Sequence, residues 1–238
     1  MRLRARYRKL GKIRFTSHRD TCRSWERVLR RAEIPVASTQ GFSPRPKLHF
    51  GLALPTSHES LAEYLDIDLR DDASVEIDAL AAQFSALLPP GIDVDAVRAV
   101  PTSGASLQEA IDHCTWRLEF DDVDPSALSD EVARVLAATE VFVRRERKGR
   151  MTSDDIRPGI LGLRVVPSDS NDPASPSMAI EADLGTQPRS VRPLELLAAF
   201  DPVPRAARIR RLHQWINDDG AMREPLDATS HAPAEVGA

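Results

Sequence analysis

Residues 2–8, "RLRARYR", alternate without a break: Arg2, Arg4, Arg6 and Arg8 fall on one side, Leu3, Ala5 and Tyr7 on the other. A repeat of two is that of an extended strand, whose successive side chains point to opposite faces. The segment therefore predicts a strand with one face in a core and four cations on the other. Gly11 interrupts the pattern and "KIRF" resumes it to Phe15. The period then changes. In "SHRDTCRSWERVLRRAE", Trp25, Val28, Leu29 and Ala32 stand at i, i+3, i+4 and i+7, the apolar stripe of a helix over Arg19–Glu33. Arg23, Arg27, Arg30 and Arg31 fall on its outer side, Ser17 and Asp20 are candidate N-caps, and Pro35 ends it.

The chain continues with strands at "KLHFGLAL" and "EYLDIDLR", a helix carrying Ile77, Leu80, Ala81 and Phe84, and a strand at "IDVDAVRAV". This β-α-β-β-α-β order is the split βαβ, or ferredoxin-like, arrangement. The pattern then starts again: strand "TWRLEF", helix "DPSALSDEVARVLAAT", strands "VFVRRERK" and "MAIEADL", helix "RPLELLAAF", and "RIRRLHQWI" as a last strand or short helix. The predicted class is α+β, two tandem ferredoxin-like units with antiparallel sheets. A basic unit at 1–104 joins a second α+β unit at 112–216 through "PTSGASLQEAID". Residues 167–177, rich in Pro, Ser and Asp, read as a surface loop, and 217–238 lack any period and read as a disordered tail.

Charge is distributed unevenly. The chain has 32 Lys+Arg and 36 Asp+Glu, but residues 1–50 hold 14 basic against 3 acidic and residues 51–120 hold 3 against 13. Such a split provides either a basic face for a polyanion or two segments that lie together and neutralise each other. No apolar run is long enough to span a membrane, the basic N-terminus has no apolar stretch behind it, and Cys22 and Cys114 are too few for a disulfide framework. A cytoplasmic protein with reduced thiols is expected.

Glycine-rich phosphate loops, dinucleotide fingerprints, nucleophile elbows, H-E-x-x-H helices and cysteine triplets are all missing, so no cofactor is expected. Four candidates remain. His18 and Asp20, two residues apart at a strand–helix junction, suit an acid–base or metal-binding pair, or a helix cap with His18 bonded to a carbonyl. His49 and His58 with His18 are a three-histidine metal site or separate surface residues. Glu59, Glu63, Asp66 and Asp68 are paired carboxylates or partners for nearby arginines. The arginines, with "RRERKGR" at 144–150, suit phosphates, and Tyr7, Phe15 and Phe42 are the aromatics available for base stacking.

Between helix and strand lies "STQGFSPRPKLHFG" at 38–51. Gly41 is placed to supply a positive φ, and Pro44 and Pro46 stiffen the approach to the strand, holding Arg45 and Lys47 at low entropic cost. "RFTSHRD", "RRAEIPVASTQGFSPRPKLHFGLALP", "ESLAEYLDIDL" and "DDIRPGI" together resemble the radical-SAM-linked protein family, found beside or fused to B12-binding-type radical SAM proteins. The matching residues include His18, Asp20, Gln40, Gly41, Phe42, Ser43, Pro44, Pro46, Lys47, Gly51, Pro55, Glu59, Ser60, Glu63, Asp66, Asp155, Arg157 and Pro158. Two departures stand out: "HRD" where the family often has "HLD", and His49 and His58 outside its pattern.

The resemblance implies a radical SAM enzyme as partner, one that supplies the cluster this chain has too few cysteines to hold. Neighbouring genes in the family, for a ribonuclease of the E/G type and ribosomal proteins, imply RNA as the shared substrate. The expected protein is an accessory that binds tRNA or rRNA, not itself catalytic. Its contact residues are Arg4, Arg6, Arg8, Arg23, Arg27, Gln40, Phe42, Arg45, Lys47, Glu63, Asp66, Asp155 and Arg157. The alternatives are an RNA-processing or RNA-modifying enzyme using His18 and Asp20, and a pure protein–protein adaptor.

Overall fold

The computed structural model describes residues 1–147, 149–167 and 178–227, with the side chains of 146, 147 and 150 left aside. The expected loop at 168–177 and the tail from 228 onward lie outside the described residues. The strands are β1 (Arg2–Lys9), β2 (Leu48–Phe50), β3 (Glu59–Asp68), β4 (Ile92–Val100), β5 (Ile111–Phe120), β6 (Phe142–Arg147), β7 (Arg150–Asp155), β8 (Ile160–Pro167), β9 (Met178–Gly185), β10 (Arg208–Asp218) and β11 (Ala221–Arg223). The α-helices are α1 (His18–Arg31), α2 (Leu80–Leu87), α3 (Leu107–Ala110), α4 (Pro125–Ala137) and α5 (Pro193–Leu197).

The fold is α+β, dominated by a large and mostly antiparallel sheet. Nine strands run β4-β1-β3-β10-β5-β9-β8, with β2 on β3 and β11 on β10, while β6 and β7 form a separate two-stranded ribbon. The sequence predicts the halves of the chain as tandem units with antiparallel sheets. Among the described residues both halves instead feed one continuous sheet, because β10 lies beside β3 as well as β5. The β3–β10 pair is parallel, with Arg210 opposite Glu59 and Arg211 opposite Ser60. Within this sheet the neighbours β4-β1-β3-β2 have the same relative order as β10-β5-β9-β8.

β1 carries out its alternation: Leu3, Ala5 and Tyr7 are buried and the arginines between them are half-buried. On the buried side α1 lays Trp25, Val28 and Leu29 and α2 lays Phe84 onto the strands. Trp25 meets Tyr7 edge-on at 5.2 Å and Phe84 at 5.7 Å, the T-shaped geometry that aromatic quadrupoles favour. Ile77 precedes α2, which is shorter than its apolar spacing predicts. A second core lies on the same side of the sheet, where α4 and α5 cover β5, β8, β9 and β10 through Leu128, Val132, Leu196, Leu118, Ile180 and Ile209.

The connection between the halves also differs from expectation. Ser106 caps α3 and Glu109 returns the bond, and β5 starts directly afterwards at Ile111. The expected disordered tail is ordered at its start. β10 runs to Asp218, β11 folds back on it, and Glu224 is buried against the sheet. An open strand edge presents unpaired backbone N–H and C=O groups, and β11 pairs with those at the end of β10. No helix among the described residues is long and apolar enough to cross a membrane.

Candidate functional site

The four strand arginines do not share one environment with the helix arginines. Each faces a carboxylate. Arg2 lies 2.6 Å from Asp68, Arg4 2.7 Å from Asp66, Arg6 3.2 Å from Glu224 and Arg8 2.8 Å from Asp95. Arg4 grips Asp66 with two nitrogens and donates a third bond to the carbonyl of Pro225. These pairs form because the cross-strand register sets Arg2 opposite Asp68 and Arg4 opposite Asp66. Burial pushes the Asp68 carboxyl upward, but the bonds from Arg2 and His49 outweigh it and hold its pKa below the ordinary value. The acidic segment thus neutralises the basic strand.

α1 and the loop behind it are different. Arg23, Arg27, Arg30 and Arg31 all face solvent, as do Gln40, Arg45 and Lys47. Arg23 lies 3.6 Å from Asp20 and Arg27 donates to the Ser24 hydroxyl. Among the described residues Arg27, Arg30, Arg31, Arg45 and Lys47 have no ion pair. The loop stands at the end of α1 that carries Arg30 and Arg31. There Ala37 donates to the carbonyl of Asp68 and accepts from Lys47, and Thr39 donates to the carbonyl of Arg45. These bonds make a pinched neck. Above it Gly41 takes φ +132°, a value that disfavours any side chain, and Phe42 projects wholly into water. Of the other aromatics expected for stacking, Phe15 is exposed beneath the Arg14 guanidinium and Tyr7 is in the core.

His18 and Asp20 are helix-start residues. Ser17 is the N-cap, accepting from the Asp20 amide and donating its hydroxyl to the Asp20 carboxylate at 2.7 Å. His18 places its ring 3.5 Å from the Cys22 sulfur and edge-on to Phe50. The three histidines stand apart: His49 meets Asp68 on the opposite side of the sheet, and His58 is buried against Trp116. No group of three or more His, Cys, Asp or Glu among the described residues could hold a metal ion. Glu63 and Asp66, three residues apart on β3, point to opposite faces, Glu63 to Arg211 and Asp66 to Arg4.

Asp155 and Arg157 form a clamp of their own. The Asp155 carboxylate accepts from the amides of Val141 and Arg157, bonds that hold its pKa below the ordinary value. Arg157 donates to the carbonyls of Leu136, Ala138 and Ile160, covering the open end of α4. Of "RRERKGR", Arg145 pairs with Asp154 at 2.6 Å, and Lys148 lies outside the described residues.

Residues 2–193 match the model of a family described as an uncharacterized protein conserved in bacteria, DUF2344. The chain belongs to this family. No curated protein matches the chain. The matched span of this family member includes the 38–47 loop, β3 and the Asp155–Arg157 clamp, but ends before β10. Sequence reasoning missed what β10 contributes. Arg211 reaches Glu63, and on the face opposite α1 Trp215 packs between His213 at 5.0 Å and His113 at 6.2 Å. The available signal was Trp215 in a segment whose alternation fails at Arg210-Arg211.

Proposed function

We propose that this protein binds RNA, a tRNA or rRNA, through the outer side of α1 and the 38–47 loop, acting as an accessory to a radical SAM enzyme. What supports the RNA reading is one contrast: the strand arginines are matched by carboxylates, whereas Arg27, Arg30, Arg31, Arg45 and Lys47 are exposed and have no ion pair among the described residues. Phosphates supply the missing negative charge, and counterion release drives the association. Phe42, wholly exposed on the same loop as Arg45 and Lys47, offers a stacking surface. The partner enzyme rests on the resemblance in the 38–51 stretch and in "DDIRPGI", as does the cytoplasmic setting on cysteine usage. The repeated strand order supports reading each half as a ferredoxin-like unit, the second bearing the β6–β7 ribbon as an insertion.

Electrophoretic shift with tRNA and rRNA fragments over a salt series tests the proposal. Affinity falls steeply as salt rises, and Arg27→Glu/Lys47→Glu flattens the slope. Absence of binding at low salt would refute it. Co-purification with the radical SAM enzyme, before and after nuclease, separates an RNA-bridged association from direct docking. The adaptor reading gains if the pair survives nuclease and naked RNA does not bind.

A further inference from the structure

On the helix-bearing side of the sheet, a cavity of about 220 Å³ opens where the two halves meet. Leu52 and Pro55, from the stretch after β2, form one wall. Trp116 of β5 and Arg211 of β10 form the second, and Val191 with Pro193 close the third. The guanidinium of Arg211 sits over the Trp116 ring, its carbon 4.8 Å from the centroid, so the cation stacks on one face of the indole.

Arg211 is 2% exposed. One terminal nitrogen donates to Glu63 at 2.8 Å and to the Leu52 carbonyl at 2.9 Å, and the other to the Ala53 carbonyl at 3.4 Å. Its Nε is buried and has no hydrogen-bond partner among the described residues. A buried N–H without an acceptor is costly, and this one belongs to a full cation. The local charge is also unbalanced. Lys9, equally buried, donates to the Thr16 carbonyl at 2.9 Å and feels the charge of the same Glu63, so among the described residues one carboxylate is shared by two buried cations. Burial lowers the Lys9 pKa and Glu63 raises it in part, and burial likewise lowers that of His58, which packs on Trp116. The cavity has room for one further anion, and Arg211 in its wall is the buried cation to receive it.

We propose that this cavity binds a small organic carboxylate with a ring-sized apolar body, its carboxylate at Arg211 and its ring against Trp116, Leu52 and Val191. The size fits: an apolar cavity of about 150 Å³ holds benzene, and this one adds space for a charged group. The ligand bridges the loop after β2 and strand β10, so its occupancy links the two halves of the chain.

Benzoate is the probe, with benzyl alcohol as its uncharged counterpart, each titrated against the full chain and read by ligand-observed NMR and by Tm. Benzoate is expected to bind and raise Tm, with benzyl alcohol at least tenfold weaker. Leu52→Trp fills the cavity while leaving the backbone carbonyl that Arg211 uses, and abolishes benzoate binding. Arg211→Lys keeps the charge and loses the planar wall, weakening benzoate at least tenfold if the chain folds. Failure of benzoate to bind, equal binding of benzyl alcohol, or undiminished binding to Leu52→Trp would each overturn the assignment. RNA shift by the Leu52→Trp protein stays at the wild-type level, so the outcome is independent of the RNA reading.

Discussion

Glu63 of β3 and Arg211 of β10 meet at 2.8 Å across the parallel pair of the sheet, both more than nine-tenths buried. Removing one partner leaves an uncompensated charge in a low-dielectric interior. Glu63→Gln is expected to cost about 3–5 kcal/mol of stability in urea unfolding. The double change Glu63→Leu/Arg211→Met costs less than the sum of the two single changes, and a strictly additive result would refute the coupling.

Arg4 offers a contrast with Lys47. Asp66 is 1% exposed and depends on two Arg4 nitrogens. Arg4→Gln should therefore lose about 3 kcal/mol of folding stability while the protein that remains folded shifts RNA as before. Lys47→Gln should do the reverse, leaving thermal unfolding within about 0.5 kcal/mol and weakening the shift.

The segment after β11 is held by Glu224, which receives Arg6, His213 and the Tyr64 hydroxyl. Burial draws the Glu224 pKa upward, but the His213 bond and the Arg6 charge outweigh it and set the folded value below the ordinary one. A depressed folded pKa means its stabilisation is complete above the unfolded pKa of about 4.3 and disappears as pH falls through the lower folded value. Amide exchange at 224–227 should accelerate over that acid window. In Glu224→Gln the segment exchanges fast at neutral pH and the acid step is gone; an unchanged acid step in that variant would assign the effect elsewhere.

Arg157→Ala exposes the carbonyls of Leu136 and Ala138 at the end of α4. Faster amide exchange is expected in the last turn of α4 and at Val141 and Ile156, with RNA affinity unaltered. Loss of affinity without a change in exchange would move Arg157 from the scaffold to the interface.

Gly91 has φ +91°, and a Cβ there would approach the Leu10 carbonyl oxygen to 2.5 Å. The Leu10 amide already donates to the Gly91 carbonyl, so this backbone contact has no slack. Gly91→Ala should cost more than the roughly 1–2 kcal/mol of left-handed strain alone, measured by chemical unfolding.

Local periodicity made β1 and α1 legible, because each buries a single regular stripe: Leu3, Ala5 and Tyr7, then Trp25, Val28 and Leu29. The loop was legible in part. Gly41 has its positive φ and Arg45 and Lys47 are held at the neck, features that short-range sterics determine. The β3–β10 junction was not. Its two pairings join residues about 150 positions apart, and nothing near Arg210-Arg211 in the chain signals which strand will lie alongside. The bulge between Arg211 and His213 also breaks the alternation that would have exposed the strand's faces. Asp155 and Arg157 stand out in "DDIRPGI", but their partners are backbone groups, and these leave no trace in side-chain chemistry.

The parallel pairing of β3 with β10 has a consequence for how the chain is made. β3 is complete by residue 68, whereas β10 begins at Arg208. At about 5–20 residues per second, a ribosome needs roughly 7–28 seconds to cover that interval. Throughout it the Glu59–Ser60 end of β3 lacks its neighbour and Glu63 lacks Arg211. The nascent first half is thus a sheet with an unfinished rim, the kind of edge that recruits stray strands. A translational pause between residues 68 and 208 prolongs that exposure.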